Sequence, residues 1–224
     1  MRHKPVISKN AREKVIDRYD DGSKKSAYYF INRKKIGYRY WEEDGALFME
    51  YGIKDGLKHG LFKTYHANGQ ILEEAHYVKG KEHGTERQYD KEGILIGSYQ
   101  IIHGTGLDLW FWSRGLLGEE RYCKEGHRHG PERWWKDRKN ISKEGYYKLD
   151  IPHGIFRKWN EKTNKLRKGY PQYFVNGEKV IKRVYLGNCE MDSELPKFRE
   201  NENKPYRKLP KEAGPFLSKR KSRK

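Results

Sequence analysis

Gly60-Leu61-Phe62-Lys63-Thr64-Tyr65-His66-Ala67-Asn68-Gly69-Gln70-Ile71-Leu72-Glu73-Glu74 opens a unit that closes with Tyr77-Val78-Lys79-Gly80-Lys81-Glu82-His83-Gly84. Its two short alternating stretches, Leu61–Tyr65 and Ile71–Tyr77, flank the dipeptide Asn68-Gly69. Alternation on either side of Asn-Gly is the strongest local sign of a β-hairpin, because both central residues of a tight hairpin turn need positive φ. No helical period of apolar residues fits between glycines this close.

Working outward, the closing glycine recurs. Gly60, Gly84, Gly106, Gly130 and Gly154 are separated by 24, 22, 24 and 24 residues, and His59, His83, His129 and His153 precede four of them, with Thr105 in the remaining copy. Five residues beyond each glycine stands an aromatic: Tyr65, Tyr89, Phe111, Trp135 and Trp159. Three residues beyond stand Lys63, Arg87, Arg133 and Arg157, with Leu109 the exception. Upstream, Asp21-Gly22 and Asp44-Gly45 are turn dipeptides, and Gly37 lies 23 residues before Gly60. The repeat therefore predicts about seven hairpins over residues 13–180. Its fold class is all-β, an elongated single-layer antiparallel sheet of stacked hairpins. Tyr173–Val180, centred on Asn176-Gly177, reads as a last hairpin, followed by a short helical or irregular cap over 181–195.

Composition agrees with a thin sheet. The chain of 224 residues has 31 aromatics and 23 glycines but only 34% hydrophobic residues, against 36% charged. Large rings can cover backbone on one face while the other stays wet. The net charge of +18 is concentrated at the ends. Residues 1–18 hold six Lys/Arg against two acids and residues 196–224 eleven against three, so residues 1–12 read as a basic arm and 196–224 as a disordered basic tail ending in Lys219, Arg220, Lys221, Arg223 and Lys224. Such a cluster can neutralise phosphates without reading sequence, meet an anionic membrane, or direct the chain to a nucleus. Cys123 and Cys189 cannot build a disulfide framework. With no secretory signal and no long apolar run, they lead to the expectation of a cytoplasmic protein, or one of a nucleus or virion where the source is eukaryotic or viral.

Chemistry-bearing constellations are sparse. Equivalent histidines in a regular sheet stand about 10 Å apart, two strands at roughly 4.8 Å each, whereas the ligands of one zinc all lie near 2 Å from it. They are expected to sit beside turns and bond backbone, so no metal or cofactor site is predicted. Gly104-Thr105-Gly106 lacks the third glycine and the helix of a phosphate loop. An enzyme is the least expected class.

The remaining feature is a stripe. Residues two apart on a strand share a face, so Lys63 with Tyr65, Arg87 with Tyr89, Arg133 with Trp135 and Arg157 with Trp159, joined by Phe111, project together over about 40 Å. It is either a packing ladder of cations over rings or a groove for an anionic or extended partner. Trp110, Trp112 and Trp134 are set partly on the other face, where an exposed indole would favour a partner.

The quoted unit resembles the MORN-repeat variant found in bacterial proteins, some of them antitoxins of toxin–antitoxin pairs, and in large DNA viruses. The resemblance covers roughly residues 13–180. It implies an extended, curved antiparallel sheet that serves as a scaffold, in some cases for membrane lipid or self-association. The leading expectation is a non-enzymatic scaffold for a protein partner or a second copy of itself. Binding to nucleic acid or anionic lipid through the tails and stripe, and neutralisation of a toxin, are the alternatives.

Overall fold

The computed structural model describes residues 5–217, and the chain divides into two compact units meeting between His103 and Gly104. Both are antiparallel β-sheets built of hairpins, so the all-β reading holds. Unit 1 carries β1 (Arg12–Arg18), β2 (Lys24–Ile31), β3 (Lys34–Trp41), β4 (Leu47–Lys54), β5 (Leu57–Tyr65), β6 (Ile71–Val78), β7 (Lys81–Glu82), β8 (Gly84–Tyr89) and β9 (Leu95–Ile102). Each pairs with its neighbours in sequence, except that the short β7 and β8 both pair with β6, as one interrupted strand. Unit 2 carries β10 (Thr105–Ser113), β11 (Leu116–Lys124), β12 (His127–Trp135), β13 (Ile141–Lys148), β14 (Ile151–Pro152), β15 (Gly154–Lys158), β16 (Gln172–Val175) and β17 (Glu178–Val180). Here β14 and β15 form the interrupted strand against β13.

The interruptions explain the repeated glycine. Between paired Glu74↔Arg87 and Tyr77↔Glu82, two residues of β6 face four on the other strand, Thr85, Glu86 and the pair His83-Gly84. The two surplus residues form a bulge, and all five glycines of the column have positive φ: 82° at Gly60, 122° at Gly84, 155° at Gly106, 107° at Gly130 and 150° at Gly154. Only glycine adopts these values without strain. Gly37 is not a sixth member. Arg39 pairs with Glu50 as Lys63 pairs with Glu74, which puts Ile36 in the place of Gly60. Gly37 is small for another reason: a Cβ there would lie 2.6 Å from Ile7 Cγ1, where the N-terminal segment crosses the sheet.

A second column closes the other ends of the hairpins. Asn32-Arg33, Asp55-Gly56, Lys79-Gly80, His103-Gly104, Glu125-Gly126, Leu149-Asp150 and Asn176-Gly177 are two-residue turns, with positive φ at both residues. Successive turns are laced by backbone: Gly80 N–H donates to Lys58 O at 2.9 Å, Gly126 N–H to Gly104 O at 2.8 Å, Asp150 N–H to Arg128 O at 2.9 Å and Gly177 N–H to Pro152 O at 2.8 Å. Histidines reinforce the lacing. His83 Nδ1 accepts from His103 N–H at 3.3 Å, and His153 Nδ1 from Asn176 N–H at 3.1 Å. In the copy without histidine, Thr105 Oγ1 accepts the corresponding Glu125 N–H at 3.0 Å. That copy is also the one in which a single residue, not three, separates the turn glycine (Gly104) from the column glycine (Gly106).

The described segments next to both ends pack onto their units. In unit 1, Ile7 is buried with Ala27 and Tyr29, and Val6, Val15, Ile36 and Trp41 surround them. In unit 2, α1 (Lys182–Met191) lays Tyr185 against Ile155, Tyr173 and Leu195, and its hydroxyl donates to Pro196 O at 2.7 Å. The composition of 196–224 predicts disorder, and the structure corrects that for Pro196–Leu217. Ile141 N–H donates to Pro205 O at 3.0 Å, Arg207 N–H to Lys139 O at 3.0 Å, and Trp159 Nε1–H to Asn203 O at 2.7 Å. The end of this segment, α2 (Gly214–Leu217), buries Leu217 and sets Phe216 against Phe111 with centroids 5.9 Å apart. Few apolar anchors and a run of backbone hydrogen bonds suffice to order it. No helix among the described residues is long and apolar enough to cross a membrane.

Gly104 and Gly126 test the lacing. Both have positive φ, but a Cβ on Gly126 meets open space, whereas one on Gly104 would lie 2.4 Å from Gly126 N. Gly126→Ala is expected to cost about 1–2 kcal/mol of strain, and Gly104→Ala about 3 kcal/mol or more because the turns must also part. Denaturant unfolding of the two variants checks the order.

Candidate binding face

Strand register sorts the side chains into two rows of different chemistry. The first row contains the predicted stripe, and the structure shows that its cations alternate with acids. In unit 1, Arg39, Glu50, Lys63, Glu74 and Arg87 are directly opposite one another on five successive strand segments. Arg39 Nε lies 2.9 Å from Glu50 Oε2, Lys63 Nζ 3.4 Å from Glu74 Oε2, and Arg87 Nη1 3.6 Å from Glu74 Oε1. Tyr65 donates its hydroxyl to Glu50 Oε1 at 2.6 Å, and burial pushes that phenol's pKa up.

Unit 2 repeats the pattern with Glu120, Arg133, Glu144 and Arg157, starting opposite Leu109. Arg133 Nη1 lies 2.5 Å from Glu120 Oε1 and its Nε 3.0 Å from Glu144 Oε2. Glu144 is the hub, for Arg157 Nη1 reaches Oε1 at 2.8 Å and Arg207, from the C-terminal segment, binds both oxygens at 2.7 and 2.9 Å. Burial alone would raise its pKa, but hydrogen bonds and charge from Arg207, Arg133 and Arg157 outweigh it and hold the carboxyl below the usual range. Glu120 behaves oppositely: burial pushes it up against the pull of Arg133.

The stripe is therefore corrected as a contact surface at five of its nine residues. Lys63, Phe111, Trp135, Arg157 and Trp159 are buried, Arg157 at 0 % exposure, while Tyr65, Arg87, Tyr89 and Arg133 are half-buried. A buried cation of this row, such as Lys63 or Arg157, has a carboxylate directly opposite it and needs no solvent. The residues missed in sequence were Glu50, Glu74, Glu120 and Glu144. Each stands ten residues before a column glycine, a regularity that the hairpin's other arm hides. The predicted Lys219, Arg220, Lys221, Arg223 and Lys224 lie outside the described residues.

The second row has a different character in each unit. In unit 1 it is aromatic: Tyr28, Tyr38, Tyr51 and Phe62 are directly opposite in turn, and Tyr77 packs beside Phe62. Centroids stand 5.4, 5.0, 6.4 and 5.6 Å apart along the row. Lys35 Nζ lies over Tyr28 at 3.6 Å, and Lys58 Nζ sits 4.9–5.1 Å from the rings of Tyr51, Phe62 and Tyr77. Phe62 is buried and the four tyrosines are half-buried. In unit 2 the equivalent row carries Asp108, Arg121 and Glu132, with Arg121 Nε 3.6 Å from Asp108 and 3.5 Å from Glu132. Of the three tryptophans singled out in sequence, Trp110 and Trp134 are half-buried, with Lys143 Nζ 3.9 Å over the Trp134 ring, and Trp112 is 64 % exposed.

Among the described residues, no group of three or more His, Cys, Asp or Glu is placed to hold one metal ion. No family model matches the sequence, and comparison with characterised proteins gives no match.

Glu144→Gln leaves three arginines around a neutral group and is expected to cost about 3–5 kcal/mol. Because the folded carboxyl titrates below its unfolded value, its contribution is present above the ordinary carboxylate range and is lost as pH falls through the folded value. The variant should therefore be less stable at neutral pH and lose less on acidification, as measured by urea unfolding across that range.

Proposed function

We propose that the chain is a non-enzymatic scaffold of the MORN-variant kind and that it holds a protein partner on the aromatic row of unit 1. The observation that carries this reading is the line of half-buried rings from Tyr28 to Tyr77 under Lys35 and Lys58. Tyrosine supplies large contact area with few rotamers to immobilise, which is why it dominates protein interfaces. Lys58 is half-buried over the rings, and that burial lowers its pKa against the pull of Glu82 and Glu73. A partner carboxylate would meet a cation with little further desolvation. Neighbouring rings pack on one another and leave no gap for a base between them, which favours protein over single-stranded nucleic acid.

The non-enzymatic reading is supported by where the perturbed charges are used. Glu120, Glu132, Glu144, Arg121 and Arg133 spend their charge on one another within the sheet. Perturbed groups of that kind arise from structural ion-pair networks as well as from active sites.

Capture of partners by the tagged full-length chain, with nuclease present, tests the proposal. A protein retained by the wild type should fall at least tenfold with Lys58→Glu and with Tyr38→Ala, each checked for folding by circular dichroism. Undiminished retention by both variants would remove the aromatic row from the function.

A further inference from the structure

We infer that the outer edge of β1 takes up an extended acidic peptide as an added strand. This goes beyond the aromatic row, which it adjoins at Tyr28, opposite Lys14. β1 pairs with β2 along one side, and six of its seven residues are exposed, Val15 alone being half-buried. Its other side offers backbone N–H and C=O groups to any chain able to pair with them.

The side chains decide which chain that is. Arg12 and Lys14 stand opposite Phe30 and Tyr28, and with Glu13, Asn32 and Arg33 they border a surface groove at the β2–β3 turn. Glu13 is already engaged by Lys24 Nζ at 3.0 Å and by the Tyr29 hydroxyl at 2.6 Å. Among the described residues, Arg12, Lys14, Arg33 and Lys34 have no carboxylate partner, whereas Lys24, Lys25 and Arg39 of the same hairpins all do. Four uncompensated cations therefore gather at an open strand edge beside one half-buried phenylalanine.

A second copy satisfies this edge poorly in the registers centred on Arg12, Glu13 or Lys14, where two-fold antiparallel pairing sets Arg12 or Lys14 against itself or the two against each other. The complementary strand carries acids at alternate positions on the Arg12/Lys14 face. Main-chain hydrogen bonds would supply the affinity and the alternate carboxylates the specificity.

The test titrates a short synthetic peptide alternating Glu and Thr into the full-length chain and follows binding by fluorescence anisotropy. Binding is expected, and weakened at least tenfold by the exposed pair Arg12→Glu and Lys14→Glu. The same peptide N-methylated at alternate residues keeps the charge but cannot pair by backbone, and should bind at least tenfold more weakly. Equal binding of the methylated peptide would show charge attraction alone and overturn the proposal. So would undiminished binding by the double variant, equally tight binding of single-stranded DNA lost in that variant, or self-association of the chain that the double variant abolishes.

Discussion

In a sheet one layer thick, a side chain finds most of its cover in the next strand's side chain at the same level. That constraint governs both units. A cation buried at 0 % or 2 % exposure, as Arg157 and Lys63 are, would be prohibitively unstable alone. Each is tolerable because the register sets a glutamate directly opposite and a ring alongside. The rows are thus the unit of packing, and the strands are what bring their members to the same level. A slip of one residue would turn every buried charge to the other face and strand it there.

The glycine column and the paired turns keep that register. Positive φ at Gly60, Gly84, Gly106, Gly130 and Gly154 accommodates the bulges, and backbone lacing ties four of the hairpin turns to their predecessors. The copy beginning at Gly106 shows how far the details can vary. It has lost two residues and the histidine together, yet Thr105 supplies an acceptor for the same kind of turn N–H. In three copies, those of His83, Thr105 and His153, the turn N–H finds a side-chain acceptor, and either of two residue types supplies it.

Much of this architecture was legible because the demands are local. A turn that requires positive φ admits few residue types, so the glycines and their spacing announce hairpins directly, although Asn68-Gly69 takes positive φ at Gly69 alone and the two-residue turns lie at the other ends of the strands. Gly37 misled by one position because a glycine required for close approach of Ile7 looks the same in sequence as one required for φ. The acidic column was hidden for a different reason. Glu50, Glu74, Glu120 and Glu144 belong to the preceding arm of each hairpin, and their pairing with the cations depends on register, a non-local quantity. The order of Pro196–Leu217 was equally non-local, since Arg207 meets Glu144 across 63 residues of chain. Composition reports how little apolar material a segment carries, and it is silent about an arginine with a distant hub to reach. The aromatic row was visible only as scattered tyrosines until the strands aligned them.

The alternation of sign within the first row also limits how such a chain can lengthen. One strand contributes the cation and its hairpin mate the anion. A duplication that copies both, about two dozen residues, extends the row with every neighbour still opposite in sign. Copying a single strand would set arginine against arginine in a buried position. Lengthening or shortening such a row by whole hairpins therefore keeps every buried charge beside its opposite, whereas a change by one strand does not.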